Sequence, residues 1–157
     1  MAESLLNDWL QGRASLGAAS EWTTEEMRLV ADLGYALAEQ GREREAVTIF
    51  EGLAALAPAT AYFQAALGAL RLRLGEPQLA VEHLDAALAA DPQDLSALIN
   101  RGEAFLQLGE YARAARDLEA SLRLGETSAN ADSALWLARA RALLLRLRTQ
   151  AGGNVLT

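Results

Sequence analysis

The chain has 157 residues, 52% of them hydrophobic, no Cys and a formal net charge of -7. That length supports one packed core without disulfides, and the missing Cys excludes thiolate metal sites and Cys nucleophiles. All 14 basic residues are Arg, which excludes lysine Schiff-base and P-loop chemistry, and the acidic balance argues against a nucleic-acid partner, whose phosphates demand a basic surface.

The N-terminal MAESLLNDWL lacks a basic leader region and carries Glu3 and Asp8, and no uncharged apolar run approaches membrane-spanning length. These features lead us to expect a cytoplasmic protein without direct membrane insertion. Leu5, Leu6, Trp9 and Leu10 form a short apolar patch, suited either to contact in a homodimer or to folding back on the body of the chain. A small-residue linker, Arg13 to Ser20, follows. Thr23 and Glu26 match a capping box, with Trp22 and Met27 placed as its hydrophobic staple, so a helix is expected to begin there.

From this point the punctuation recurs every 34 residues. Gly34, Gly68 and Gly102 form one series, Gly41, Gly75 and Gly109 a second, and Ala46, Ala80 and Ala114 a third; Pro58 and Pro92 form a fourth that lapses at Glu126. Each unit reads as a helix, a tight turn and a second helix. In the middle unit the first helix is expected over 61–74, Gly75 supplies the left-handed residue that ends it, and Pro77 opens the second helix, where a missing N–H costs nothing. Gly68 and Ala80 would let the two helices of the pair approach closely. The spacing resembles the tetratricopeptide repeat and implies an all-α, right-handed solenoid of three repeats, 27–60, 61–94 and 95–128. The flanks, 1–26 and 129–157, then serve as an N-terminal helix with its linker and as a C-terminal capping helix with a short tail. That last helix is expected from Asp132 to about Arg148, with Trp136, Ala140, Leu143, Leu144 and Leu147 on its packed face and Arg stems along the flanks.

On each first helix the slots that do not meet the partner helix turn toward the inside of the stack. They are Arg28, Ala31, Tyr35, Ala38 and Glu39 in repeat one, Tyr62, Ala65, Ala69, Leu72 and Arg73 in repeat two, and Ser96, Ile99, Glu103, Leu106 and Gln107 in repeat three. The alanines leave room for a guest and the tyrosines offer flat anchors with a polar tip, so these positions are expected to line a groove for an extended apolar peptide. The competing reading is that they pack against the chain's own terminal helices. The carboxylate clamp of co-chaperone repeat proteins is missing, because its slots hold Ala31, Tyr35, Ala66, Ser96 and Asn100.

The stretch from Trp9 to Pro58 resembles the small chaperones of type III secretion that escort translocator proteins. The residues concerned are Trp9-Leu10-Gln11-Gly12, the small-residue linker, Thr23-Thr24, Gly41 with Ala46, and Phe50 with Leu53. The resemblance implies a chaperone that keeps a hydrophobic client unfolded and grips an extended segment of it, often pairing through the N-terminal helix. The alternative is a general repeat adaptor that joins folded partners. His83, the single His, is expected to be a surface or packing residue, and no phosphate loop, metal-ligand set or nucleophile-base pair stands out. Neither a cofactor nor an enzymatic activity is therefore expected.

Overall fold

The computed structural model describes residues 7–8, 11, 22–127 and 131–153. Among these it contains no strand and seven successive helices: α1 (Thr24–Glu39), α2 (Glu43–Leu56), α3 (Ala61–Arg73), α4 (Pro77–Ala90), α5 (Leu95–Gln107), α6 (Tyr111–Glu126) and α7 (Ala131–Gly153). The pairs α1/α2, α3/α4 and α5/α6 stack in sequence, and α7 continues the stack by packing on α5 and α6. The molecule is an all-α tetratricopeptide-repeat solenoid closed by a capping helix.

Local chemistry sets the helix ends. Thr23 caps α1: its hydroxyl accepts from the Glu26 N–H at 3.2 Å, and the Glu26 carboxylate accepts from the Thr23 N–H at 2.7 Å. The Thr23 N–H, and then the Thr23 hydroxyl, which donates to the same carboxylate at 2.9 Å, hold the Glu26 carboxyl below the usual carboxylate range. Trp22 and Met27 pack on the first core cluster beside this cap. Gly41, Gly75 and Gly109 adopt φ of +76°, +73° and +76°. At each, the following N–H reaches back five residues: Arg42 to Leu37, Glu76 to Arg71 and Glu110 to Phe105, all at 2.9 Å. This is the Schellman termination that a left-handed glycine permits. Pro77 stands at the start of α4, as its fixed φ and missing N–H favour.

Within each pair the glycine of the first helix lies against a large side chain of the second. A Cβ added to Gly34 would come within 2.7 Å of Phe50, one on Gly68 within 2.4 Å of Leu84 Cγ, and one on Gly102 within 2.8 Å of Leu118 Cγ. Phe50, Leu84 and Leu118 are fully buried, as are Ala46, Ala80 and Ala114. The capping helix repeats the device, with Leu137 lying on Gly125. It runs five residues past Arg148, because Thr149, Gln150 and Ala151 offer nothing to break a helix before Gly152 and Gly153. Its packed face is the expected one: Ala140 and Leu143 are buried, and Trp136, Leu144 and Leu147 are half-buried against the third core cluster.

Arginines bridge the layers. Arg71 of α3 pairs with Glu51 of α2 at 2.5 Å and with Glu76 at 2.8 Å. Arg101 of α5 reaches Asp85 of α4 at 2.8 Å and grips the buried Asp117 of α6 with two bonds, at 2.7 and 2.9 Å. Such forked, partly buried pairs fix relative helix positions more than they add net stability.

Gly68→Ala decides whether close approach governs the pairing. Alanine raises helix propensity by about 1 kcal/mol, but overpacking a full core costs about 1–3 kcal/mol. Since the clash falls on the branch carbon of a buried Leu84, a net loss of about 1 kcal/mol and a Tm lower by about 3 °C are expected in thermal denaturation. Combined with Leu84→Ala, the two losses should sum to less than their separate values. A Gly68→Ala protein as stable as the parent would contradict the close approach.

Candidate functional site

The candidate site lies on the side of the solenoid formed by the first helices, α1, α3 and α5. Tyr35 of α1 and Tyr62 of α3 remain open to solvent, at 38% and 48% exposure. Their rings stand 5.8 Å apart, and the Tyr35 ring meets the buried Phe50 edge-on at 5.1 Å. Phe63 extends the cluster, 5.8 Å from Tyr62 and 6.5 Å from Phe50. The tyrosines are thus held by a buried aromatic base, and their exposed surfaces form a continuous shelf. A cavity of about 490 Å³ opens beside it, floored by Met27, Tyr62 and Phe63 and rimmed by Thr24, Arg28 and Asp32. Burial, then the neighbouring Tyr62 hydroxyl and the Asp94 and Asp32 carboxylates, push the Tyr35 hydroxyl well above its ordinary pKa.

The slots expected to line a groove divide into two groups. Arg28, Glu39, Arg73 and Gln107 are exposed, and Ala65, Ala69, Ser96 and Glu103 are half-buried. Ala31, Ala38, Leu72, Ile99 and Leu106 are buried, and as guest-contacting residues they are corrected. Ala31 and Ala38 belong to the first core cluster, Leu72 to the second, and Ile99 and Leu106 to the third, together with Ala140 and Leu143 of α7. The physical reason is the stacking itself: the next first helix, or α7 for repeat three, leans over those slots. Ile99 is therefore roofed by the chain's own capping helix, as the competing reading held for the terminal helices. Glu103 is half-committed as well, since its carboxylate and the Asn100 side chain both accept from Arg139 of α7. The Tyr35–Tyr62 shelf and its cavity lie between repeats one and two, while in repeat three Ser96, Glu103 and Gln107 keep solvent access.

Arg73 crosses between these repeats, donating to the Ala38 carbonyl at 3.0 Å and to Glu43 at 2.7 Å. Its role was invisible in the sequence because both partners lie at least 30 residues away. Arg28 is paired with Glu25 at 2.7 Å. Leu5, Leu6, Trp9 and Leu10 lie outside the described residues. His83 packs between α4 and α3, with Nδ1 donating to Gln64 Oε1 at 2.9 Å; burial and then Arg71 lower its pKa. No group of His, Asp and Glu suited to a metal occurs among the described residues.

A tetratricopeptide repeat family model matches residues 31–95, 65–133 and 99–151. The chain belongs to the tetratricopeptide repeat family. Among solved structures it is similar to a type III secretion complex from Aeromonas hydrophila, with 27% identity, a TM-score of 0.77 and coverage of 94% of this chain and 97% of that one. It also resembles SycD of Yersinia enterocolitica, a type III secretion chaperone solved with a peptide of the translocator YopD: 21% identity, TM-score 0.74, 83% and 98% coverage. PcrH with the chaperone-binding region of PopD gives 23% identity, TM-score 0.75 and 83% and 97% coverage. At those two identities the likeness is one of fold. A human FK506-binding protein-like sequence is 39% identical over 67 residues, 43% of this chain; the match spans only 19% of that protein.

Tyr35 supplies a solution test of the shelf. A phenol whose folded pKa is raised supports the folded state below its unfolded pKa of about 10, and that support is lost as pH climbs through the folded value. Ultraviolet titration should therefore show fewer than the three tyrosines of the chain ionising near the ordinary pH before unfolding, and Tyr35→Phe should move alkaline unfolding to higher pH. Ionisation of all three together in the native protein would contradict the geometry.

Proposed function

We propose that this chain is a chaperone that holds an extended apolar segment of a client protein in the trough between α1 and α3, and that the client is a translocator of a type III secretion system. The observation that carries this reading is the Tyr35–Tyr62 shelf beside an apolar cavity on the side formed by the first helices. An extended segment suits the site: alternate side chains of a peptide can sit in the cavity and over Ala65 and Ala69, while Arg28, Glu39 and Arg73 offer polar contacts at the rim. The solved structures support the choice of client, since SycD carries a peptide of the translocator YopD and PcrH the chaperone-binding region of PopD. No described helix is long and apolar enough to cross a membrane, in keeping with action in the cytoplasm before export.

Co-expression with a translocator tests the proposal. The parent chain should keep the translocator soluble and co-purify with it, and Ala65→Glu with Ala69→Glu should abolish both while the circular dichroism stays helical. Tyr62→Ala should weaken a fluorescent client peptide by about tenfold, the loss of one well-packed aromatic anchor. Unchanged affinity in both variants would overturn the site, and partners captured only when already folded would replace the chaperone by an adaptor.

A further inference from the structure

The two ends of the solenoid carry opposite charge around matching apolar stripes. On α7, Leu135, Ala138, Ala142 and Leu145 are all exposed and recur at the three- and four-residue spacing that puts them in one row. Leu135 and Leu145 are 77% and 64% exposed, the highest values for any large apolar side chains described. A shallow apolar hollow of about 400 Å³ opens beside Leu135 and Ala138. The helix carries four Arg against one Asp, Asp132, in a chain of net charge -7. Arg139 is engaged with Glu103, whereas Arg141, Arg146 and Arg148 make no ion pair among the described residues.

At the other end, α1 presents Leu29, 53% exposed, with the half-buried Leu33 and Ala36 in the same row. Its acids are Glu25, Glu26, Asp32 and Glu39 against one base, Arg28. Glu25 is taken by Arg28 and Glu26 by the cap, while Asp32 and Glu39 have no ion-pair partner among the described residues. Asp32 and Glu39 are seven residues apart, as are Arg141 and Arg148, so each pair spans two turns, about 10.5 Å. At about 100° per residue, both pairs fall on the same side of their apolar rows. Same-side flanks meet when two helices pack antiparallel, and with the apolar rows laid together, Leu145 beside Leu29 and Leu135 near the C-terminal end of α1, Arg141 falls opposite Asp32.

We propose that this chain associates head to tail, the outer face of α7 in one copy packing antiparallel on the outer face of α1 in the next. A symmetric α7–α7 contact would instead bring together two faces that each carry three unpaired Arg, which is repulsive. The contact is heterologous: each copy keeps one free end, so association does not close at two copies. It does not use the Tyr35–Tyr62 shelf, but it shares Asp32 with the cavity rim, so docking there would partly cover the cavity.

Sedimentation velocity of the full chain tests this. The sedimentation coefficient should rise with concentration and fall back with added salt, which screens exposed ion pairs. A Leu135→Ser/Leu145→Ser variant and a Leu29→Ser/Asp32→Arg/Glu39→Arg variant should each lose that rise alone, and an equimolar mixture of the two should give a closed 1:1 complex through the one pair of intact faces. In a second set, Arg141→Glu/Arg148→Glu should remain monomeric, and adding Asp32→Arg/Glu39→Arg to the same chain should restore association. Three results would overturn the proposal: a parent chain that stays monomeric at every concentration, an α1 variant that still dimerises by itself, or association lost on Trp9→Ser/Leu10→Ser and untouched by the α1 changes.

Discussion

The architecture depends on one steric arrangement, a helix surface without a Cβ facing a large buried side chain. Gly34, Gly68 and Gly102 bring the first helix of each pair so near the second that Phe50, Leu84 and Leu118 rest on bare backbone. Dispersion contacts at that range are dense, and a void or an extra methyl would each be felt. Because the same contact recurs every 34 residues, the pairs share one geometry and can stack on one another. The trough is a by-product of that stacking: two second helices at the back leave the first helices to face a common side.

Much of this was legible in the residue order because it is local. A left-handed glycine after a helix, a Thr and a Glu three residues apart, and a Gly and an Ala at a fixed interval are signals read within one repeat. Gly75 at φ +73° and the Thr23–Glu26 box follow from such signals directly. What the sequence did not convey is how far each repeat rotates on the last. Ala31, Ile99 and Leu106 sit on the inner side of a helical wheel, yet the next layer covers them, and a wheel carries no information about the next layer. The same limit hid Arg101, whose partners Asp85 and Asp117 each lie 16 residues away on different helices.

Charge and shape divide the labour along the stack. Arg71, Arg73 and Arg101 act across layers, tying neighbouring helices to one another with forked or bridging bonds. Guanidinium suits this task because its planar donors serve two acceptors at once, and a chain with Arg at every basic position has that option throughout. On the inner side, by contrast, the surface around Tyr35 and Tyr62 is aromatic, with the small Ala65 and Ala69 on the same helix as Tyr62.

The substantial helix contacts run only between chain neighbours and between α3 and α5 or α5 and α7. Among the described residues no substantial contact joins the first repeat to the last, so the described body resembles a short spring whose curvature is the sum of small hinge angles at successive layers. Widening the mouth by an ångström or two then asks little of any single interface, and a guest of the proposed kind would be accommodated by elastic bending instead of by local melting.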